Sequence, residues 1–125
     1  MPDIADWTVL LVDDEPDSLF LVHDILTLNG AKVVQAASGE EGLMHLNAIY
    51  PTLVVLDLAM PRPDGWDLLV EIRSRPQFVE VPVVAITAFY SGQVAQKAYE
   101  AGFDAFFPKP IKTQVFLEKL RELVN

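Results

Sequence analysis

The 125 residues carry 9 Lys+Arg against 18 Asp+Glu, a formal net charge of −9, with 51% hydrophobic residues and no cysteine. That composition excludes disorder, disulfide and thiolate-metal chemistry, and a basic face for direct nucleic-acid binding. The length suits one domain over residues 1–125. No apolar run approaches the roughly 20 residues of a membrane span. The opening MPDIADW lacks the basic and apolar regions of a secretory leader. A cytoplasmic setting without membrane contact is therefore expected.

Thr8–Val12 is a β-rich apolar run that ends in Asp13-Asp14-Glu15, and reads as a buried strand. Pro16 suits the first turn of a helix, where its missing N–H is no loss. Leu19, Val22, Ile25 and Leu26 recur at helical spacing until Gly30 stops them. Lys32–Ala36 is a second strand. Ser38 with Glu41 predicts a capping box opening a helix that carries Leu43, Leu46 and Ile49 and ends before Pro51.

Leu53–Leu56 is a third strand terminating at Asp57. The loop Leu58–Asp64 then leads through Gly65 into a helix over Trp66–Ser74. Pro82–Ile86 is a fourth strand terminating at Thr87. Ser91 caps a helix to Ala101, stopped by Gly102. Asp104–Phe107 is a fifth strand before Pro108-Lys109-Pro110, and a last helix runs from about Thr113 to Val124.

Strand and helix thus alternate five times. The strands are nearly continuous apolar runs, as required when helices cover both faces of a sheet. The expected fold is α/β: a doubly wound, five-stranded parallel sheet of flavodoxin-like order 2-1-3-4-5.

In such a sheet, ligands bind beyond the carboxyl ends of the strands, at the switch point in strand order. The polar residues fall at those ends: Asp13 and Asp14 after the first strand, Asp57 after the third, Thr87 after the fourth, Lys109 after the fifth. Singly, each is an ordinary turn, cap or solvated residue. Together at one edge they form a site. Three close carboxylates repel unless a cation sits among them, and oxygen donors favour a hard ion such as Mg²⁺ (or Mn²⁺) over zinc. An Asp carboxylate is a nucleophile toward phosphorus, while a Lys and a hydroxyl can offset charge on phosphoryl oxygens.

The chain resembles the receiver domains of two-component response regulators, including the chemotaxis-regulator type. The resemblance is carried by LLVDDEP at 10–16, LVVLDLAMPRPDG at 53–65, VVAITA at 83–88 and EAGFDAFFPKP at 100–110. It implies that Asp57 accepts the phosphoryl group. It further implies that Asp14 binds Mg²⁺ directly and Asp13 largely through water, with the Ala59 carbonyl as a further ligand. By the same resemblance, Thr87 and Lys109 contact the phosphoryl oxygens and Phe106 occupies the position of the switch aromatic. A cis Lys109-Pro110 bond, a histidine kinase as phosphodonor and an output partner of unspecified identity are also implied. Such a domain is a regulatory phosphoacceptor, capable of its own phosphotransfer and slow dephosphorylation, rather than a turnover enzyme.

Ala59 and Phe89 are apolar where the family often places polar residues. Phe106 replaces the commoner Tyr, Pro63 stands where Met is frequent, and Pro108 precedes Lys109. A metal-dependent phosphohydrolase built on Asp57 needs a substrate cap that 125 residues hardly supply. A pseudo-receiver is disfavoured by the intact set of Asp13, Asp14, Asp57, Thr87 and Lys109. His23 and His45 read as surface or half-buried helix residues, and Trp66 as packing near the metal loop. Of the late aromatics Phe89, Tyr90, Tyr99, Phe103 and Phe107, some are expected in the core and some on a partner-binding face.

Overall fold

The computed structural model describes residues 3–124. Met1, Pro2 and Asn125, which the expected domain span includes, lie outside the described residues. Five strands, β1 (Thr8–Val12), β2 (Lys32–Ala36), β3 (Leu53–Asp57), β4 (Val83–Thr87) and β5 (Ala105–Pro108), alternate with helices α1 (Pro16–Leu28), α2 (Gly39–Leu46), α3 (Gly65–Ser74), α4 (Gly92–Ala101) and α5 (Thr113–Leu123). All strand pairs are parallel and the order is β2-β1-β3-β4-β5, as expected.

Side chains of a strand alternate between its two faces, and here each face has its own core. Val9, Leu11, Leu53, Val55, Val84, Ile86, Ala105 and Phe107 pack beneath α1 and α5, against Val22, Leu26, Phe116 and Leu120. Leu10, Val12, Val54, Leu56, Val83 and Ala85 point the other way, against Leu46, Leu68, Leu69, Ile72 and Ala98 of α2, α3 and α4. β1, β3 and β4 are almost wholly buried, which is why their sequences are unbroken apolar runs. The edge strands differ. β2 exposes Lys32 and Gln35, and β5 ends on exposed Pro108, whose missing N–H an edge tolerates.

Several local details depart from the sequence reading. Ser38 accepts a hydrogen bond from Glu41 N, but the Glu41 carboxylate accepts from Ala37 N instead of Ser38 N, so the expected box is only half formed. A complete box opens α3, where Asp64 and Asp67 each accept from the other's backbone N–H. α2 stops at Leu46, and two short 3₁₀ turns, Ile4–Asp6 and Pro76–Phe78, add buried Ile4 and Phe78 to the cores. β5 is shifted one residue later than expected because Asp104 is occupied as a joint. Its carboxylate accepts from Val83 N and from Arg73. Both Lys109-Pro110 and Arg62-Pro63 are cis; only the former was anticipated. Among the described residues, no helix is long and apolar enough to cross a membrane.

Arg73 joins three segments. Its guanidinium donates to Val81 O at 2.9 Å, Gly102 O at 3.2 Å and Asp104 Oδ2 at 2.9 Å, tying the end of α3 to the entries of β4 and β5. Arg73→Met keeps the alkyl stem and removes every donor. It should lower stability by about 1–2 kcal/mol, read from urea unfolding; an unchanged midpoint would show that these carbonyls are satisfied without it.

Candidate functional site

The pleat also sorts the polar residues. Asp13 continues the alternation of Val9 and Leu11, Asp57 that of Leu53 and Val55, and Lys109 that of Ala105 and Phe107. All three emerge on the α1/α5 side of the sheet's carboxyl edge. Thr87 follows Val83 and Ala85 and belongs to the other side.

The distances bear this out. Lys109 Nζ donates to Glu15 Oε1 at 3.1 Å and to Asp57 Oδ2 at 3.4 Å. It also lies 2.9 Å from Asp13 Oδ2, as an ion pair whose angle departs from that of a hydrogen bond. Asp13 and Asp57 are 0% and 2% exposed, so this is a buried charge cluster and not a solvated one. Asp14 is exposed at its rim, and one carboxylate oxygen from each of Asp13, Asp14 and Asp57 lies within 4.8 Å of the others. Asp14, Glu15, Asp57 and Lys109 line a small hollow of about 150 Å³ that also includes Ala59, Ala88 and Phe89.

Asp57 Oδ1 accepts from Ala59 N at 3.1 Å, and Asp13 Oδ1 from Glu15 N at 3.0 Å. Gly65 lets the loop return closely: a Cβ there would stand 2.4 Å from the carbonyl oxygen of Asp57. Burial, then the neighbouring Asp13 charge, pushes the Asp57 carboxyl up to about 6; the Ala59 N–H and Lys109 only partly offset them. Burial opposes the charge on Lys109, but the contacts with Asp13, Asp57 and Glu15 outweigh it and raise its pKa.

Thr87 is 1% exposed, and its Oγ1 accepts from Phe89 N at 3.1 Å. Its hydroxyl is thus engaged with the β4–α4 loop, while Lys109 N donates to Thr87 O at 2.8 Å. Phe106 is half-buried on the α3/α4 side, its ring 5.7 Å from that of Tyr90. Phe103 and Phe107 are core residues; Phe89, Tyr90 and Tyr99 are exposed. Phe89, 72% exposed, lines the same hollow as Asp57. His23 and His45 are half-buried on their helices. Sequence reasoning missed Glu15 as a partner of Lys109, although its place directly after Asp13-Asp14 was the available signal. It also missed Tyr90 as the neighbour of Phe106.

The residues fit a hard divalent cation. The donors are all oxygens, and the buried Asp13 Oδ2 has no hydrogen-bond partner of its own. Asp14 is open to solvent beside it. Such an acidic, oxygen-only cradle suits Mg²⁺.

A doubly wound parallel sheet thus carries a buried aspartate, flanking acidic residues and a lysine at its switch point. Comparison with known proteins gives the family. The response regulator receiver domain profile matches residues 9–121, and the chain belongs to that family. It is 35% identical over 111 residues to a 14.6 kDa protein from the sodA1 3′ region of Leptolyngbya boryana, covering 89% of this chain and 85% of that protein. It is 30% identical to the DNA-binding dual master transcriptional regulator RpaA of a Synechocystis species, covering 94% of this chain and 48% of RpaA. The chain likewise spans about half the length of the ycf27 probable transcriptional regulators, with 47% of the Pyropia yezoensis protein covered. Among solved structures, a putative response regulator from Chloroflexus aurantiacus superposes with a TM-score of 0.89 at 27% identity, covering 94% and 97% of the two chains. A CheY-like receiver domain from Methanospirillum hungatei gives 0.83 at 28%, covering 94% and 93%. The chain is thus a regulatory domain of two-component, phosphorylation-dependent signalling.

The raised Asp57 pKa has a stability consequence. The folded state holds this proton more tightly than the unfolded chain, so the Asp57 contribution is present at low pH. It is lost as pH rises from about 4 through about 6. Without metal, Asp57→Asn should therefore unfold at higher urea than wild type near neutral pH, by about 2 kcal/mol. The gain should shrink toward about pH 4 and shrink also when Mg²⁺ is added to both proteins. An Asn variant no more stable than wild type at neutral pH would show that Lys109 already cancels the repulsion.

Proposed function

We propose that Asp57 is the phosphoryl acceptor of a switch over residues 1–125 that a histidine kinase phosphorylates and that then remodels a partner-binding face. The observation that carries this is the buried Asp57 carboxylate, 3.4 Å from Lys109 Nζ, at the point where Asp13 and Asp14 converge. Asp14, Asp57 and the Ala59 carbonyl would hold Mg²⁺ (or Mn²⁺, which takes the same oxygens), with Asp13 acting largely through water. When bound, the ion offsets charge on the phosphoryl oxygens.

The remaining work falls to the chain. An Asp57 oxygen attacks phosphorus in line, and the bond to the leaving imidazole or acyl oxygen breaks. Lys109 meets one phosphoryl oxygen. Thr87 turns its hydroxyl from the Phe89 N–H toward another. That movement releases the start of the β4–α4 loop from Thr87, and Phe106 repacks on the face of α4, β5 and α5.

The domain is read as a regulator and not a turnover enzyme, a reading supported by its membership of the receiver family. With a net charge of −9, direct contact with nucleic acid is not part of this reading. Any DNA binding of the kind named for RpaA would belong to a further segment. A cytoplasmic setting without membrane contact is proposed.

Incubation with acetyl phosphate and Mg²⁺ should add one phosphoryl mass to the intact protein. Asp57→Asn should abolish the gain, and Lys109→Ala should slow it about tenfold or more. Undiminished labelling of the Asn variant would place the acceptor elsewhere.

A further inference from the structure

On the α3/α4 side of the acidic hollow lies a larger one, of about 430 Å³. Leu58, Trp66, Phe89 and Val94 line it, together with Lys97. Ala59 and Phe89 line both hollows, so the two adjoin. Trp66 is held edge-on against buried Phe103 at 5.6 Å and 78°, while Phe89 is 72% exposed. One aromatic wall is therefore fixed in the core, and the other stands free at the rim.

The acidic hollow has two unlike sides. Asp14, Glu15 and Lys109 line one; Ala59 and Phe89, which also line the larger hollow, line the other. A phosphodonor places its phosphorus at Asp57 and its leaving group beyond. Asp14 and Glu15 repel an anionic leaving group on their side. Beside that apolar side, across Ala59 and Phe89, lies the larger hollow.

We infer that this larger hollow seats the leaving group of a small phosphodonor and favours aryl acyl phosphates over acetyl phosphate. The inference rests on the reading of Asp57 as acceptor. A cavity of about 150 Å³ suffices for a benzene ring, and this one is larger at about 430 Å³. An aryl group between Trp66 and Phe89 removes apolar surface from water on both of its faces. Lys97 makes no ion pair among the described residues. Its ammonium is available to the departing carboxylate. In the transfer, an Asp57 oxygen bonds to phosphorus, the bond from phosphorus to the acyl oxygen breaks, and the aryl carboxylate leaves with that electron pair. No proton or further reactant is needed.

Rates of phosphoryl gain from benzoyl phosphate and acetyl phosphate are measured by intact mass, on wild type, Phe89→Ser and Trp66→Ala in Mg²⁺ buffer. The intrinsic reactivity of the two donors cancels when their rate ratio is compared between proteins. The benzoyl-to-acetyl ratio should fall roughly tenfold in each variant. Should Trp66→Ala not fold, Phe89→Ser decides, since that side chain is 72% exposed. Independently, benzoate but not acetate should shift the indole N–H resonance of Trp66, with Trp7, buried in the other core, as internal control. Equal ratios in wild type and Phe89→Ser, or a Trp66 resonance that benzoate leaves unmoved, overturn the seat while leaving Asp57 as acceptor. No labelling from either donor overturns both.

Discussion

Everything at the carboxyl edge of this sheet is arranged around one buried ammonium. Lys109 Nζ faces Asp13, Asp57 and Glu15, so three carboxylates against one ammonium leave a net charge of −2 around it. Two of those carboxylates are buried, and a buried charge is tolerated only when paired. The pairing is incomplete: Asp57 keeps a raised affinity for its proton, and Asp13 Oδ2 has no hydrogen-bond partner. The site is therefore underneutralised by construction. A cation brought to Asp14 at the rim, or a change of charge at Asp57, acts on this deficit directly.

The strands hold that deficit in place. β1 and β3 are packed on both faces by separate cores, and neither can slide by one residue without exchanging its two apolar sets. Their register fixes Asp13 and Asp57 side by side, since Val12 pairs with Leu56 directly before them. β5 delivers Lys109 from the edge of the sheet, and the Lys109 N–H bonded to Thr87 O keeps the lysine backbone in line with β4. Arg73 performs the matching task at the opposite edge, where it ties the starts of β4 and β5 to α3.

Most of this arrangement was legible in the sequence because it depends on two periodic signals. Unbroken apolar runs identified β1, β3 and β4, and polar residues directly after them marked the site. Helix stops at Gly30 and Gly102 were also readable, and both residues adopt positive φ. What escaped depends on contacts between segments distant in the chain. Asp104 was read as strand because nothing local shows that its carboxylate is shared by Arg73 and Val83 N. The Ser38 box is a local exception: the Glu41 carboxylate accepts from Ala37 N, one residue before the cap. Nor does any local pattern show that Tyr90, three residues after Thr87, rests on Phe106.

That last contact shortens the path of the proposed switch. Thr87 Oγ1 accepts from Phe89 N, and the next residue, Tyr90, lies against Phe106. Turning the hydroxyl toward Asp57 gives up one neutral hydrogen bond, worth about 1 kcal/mol. It gains a bond to a charged phosphoryl oxygen, worth about 1.5–3 kcal/mol. The exchange favours the turned state once Asp57 is phosphorylated, and the untouched state before. Because the released N–H belongs to the start of the β4–α4 loop, the same step frees the segment that carries Tyr90. Phe106 has no hydroxyl to leave unsatisfied, so in that proposed switch its ring would follow Tyr90 by packing alone. In the proposed switch the bias would then reside in the Thr87 hydrogen bond, while the two rings would transmit it and add no polar preference for either state.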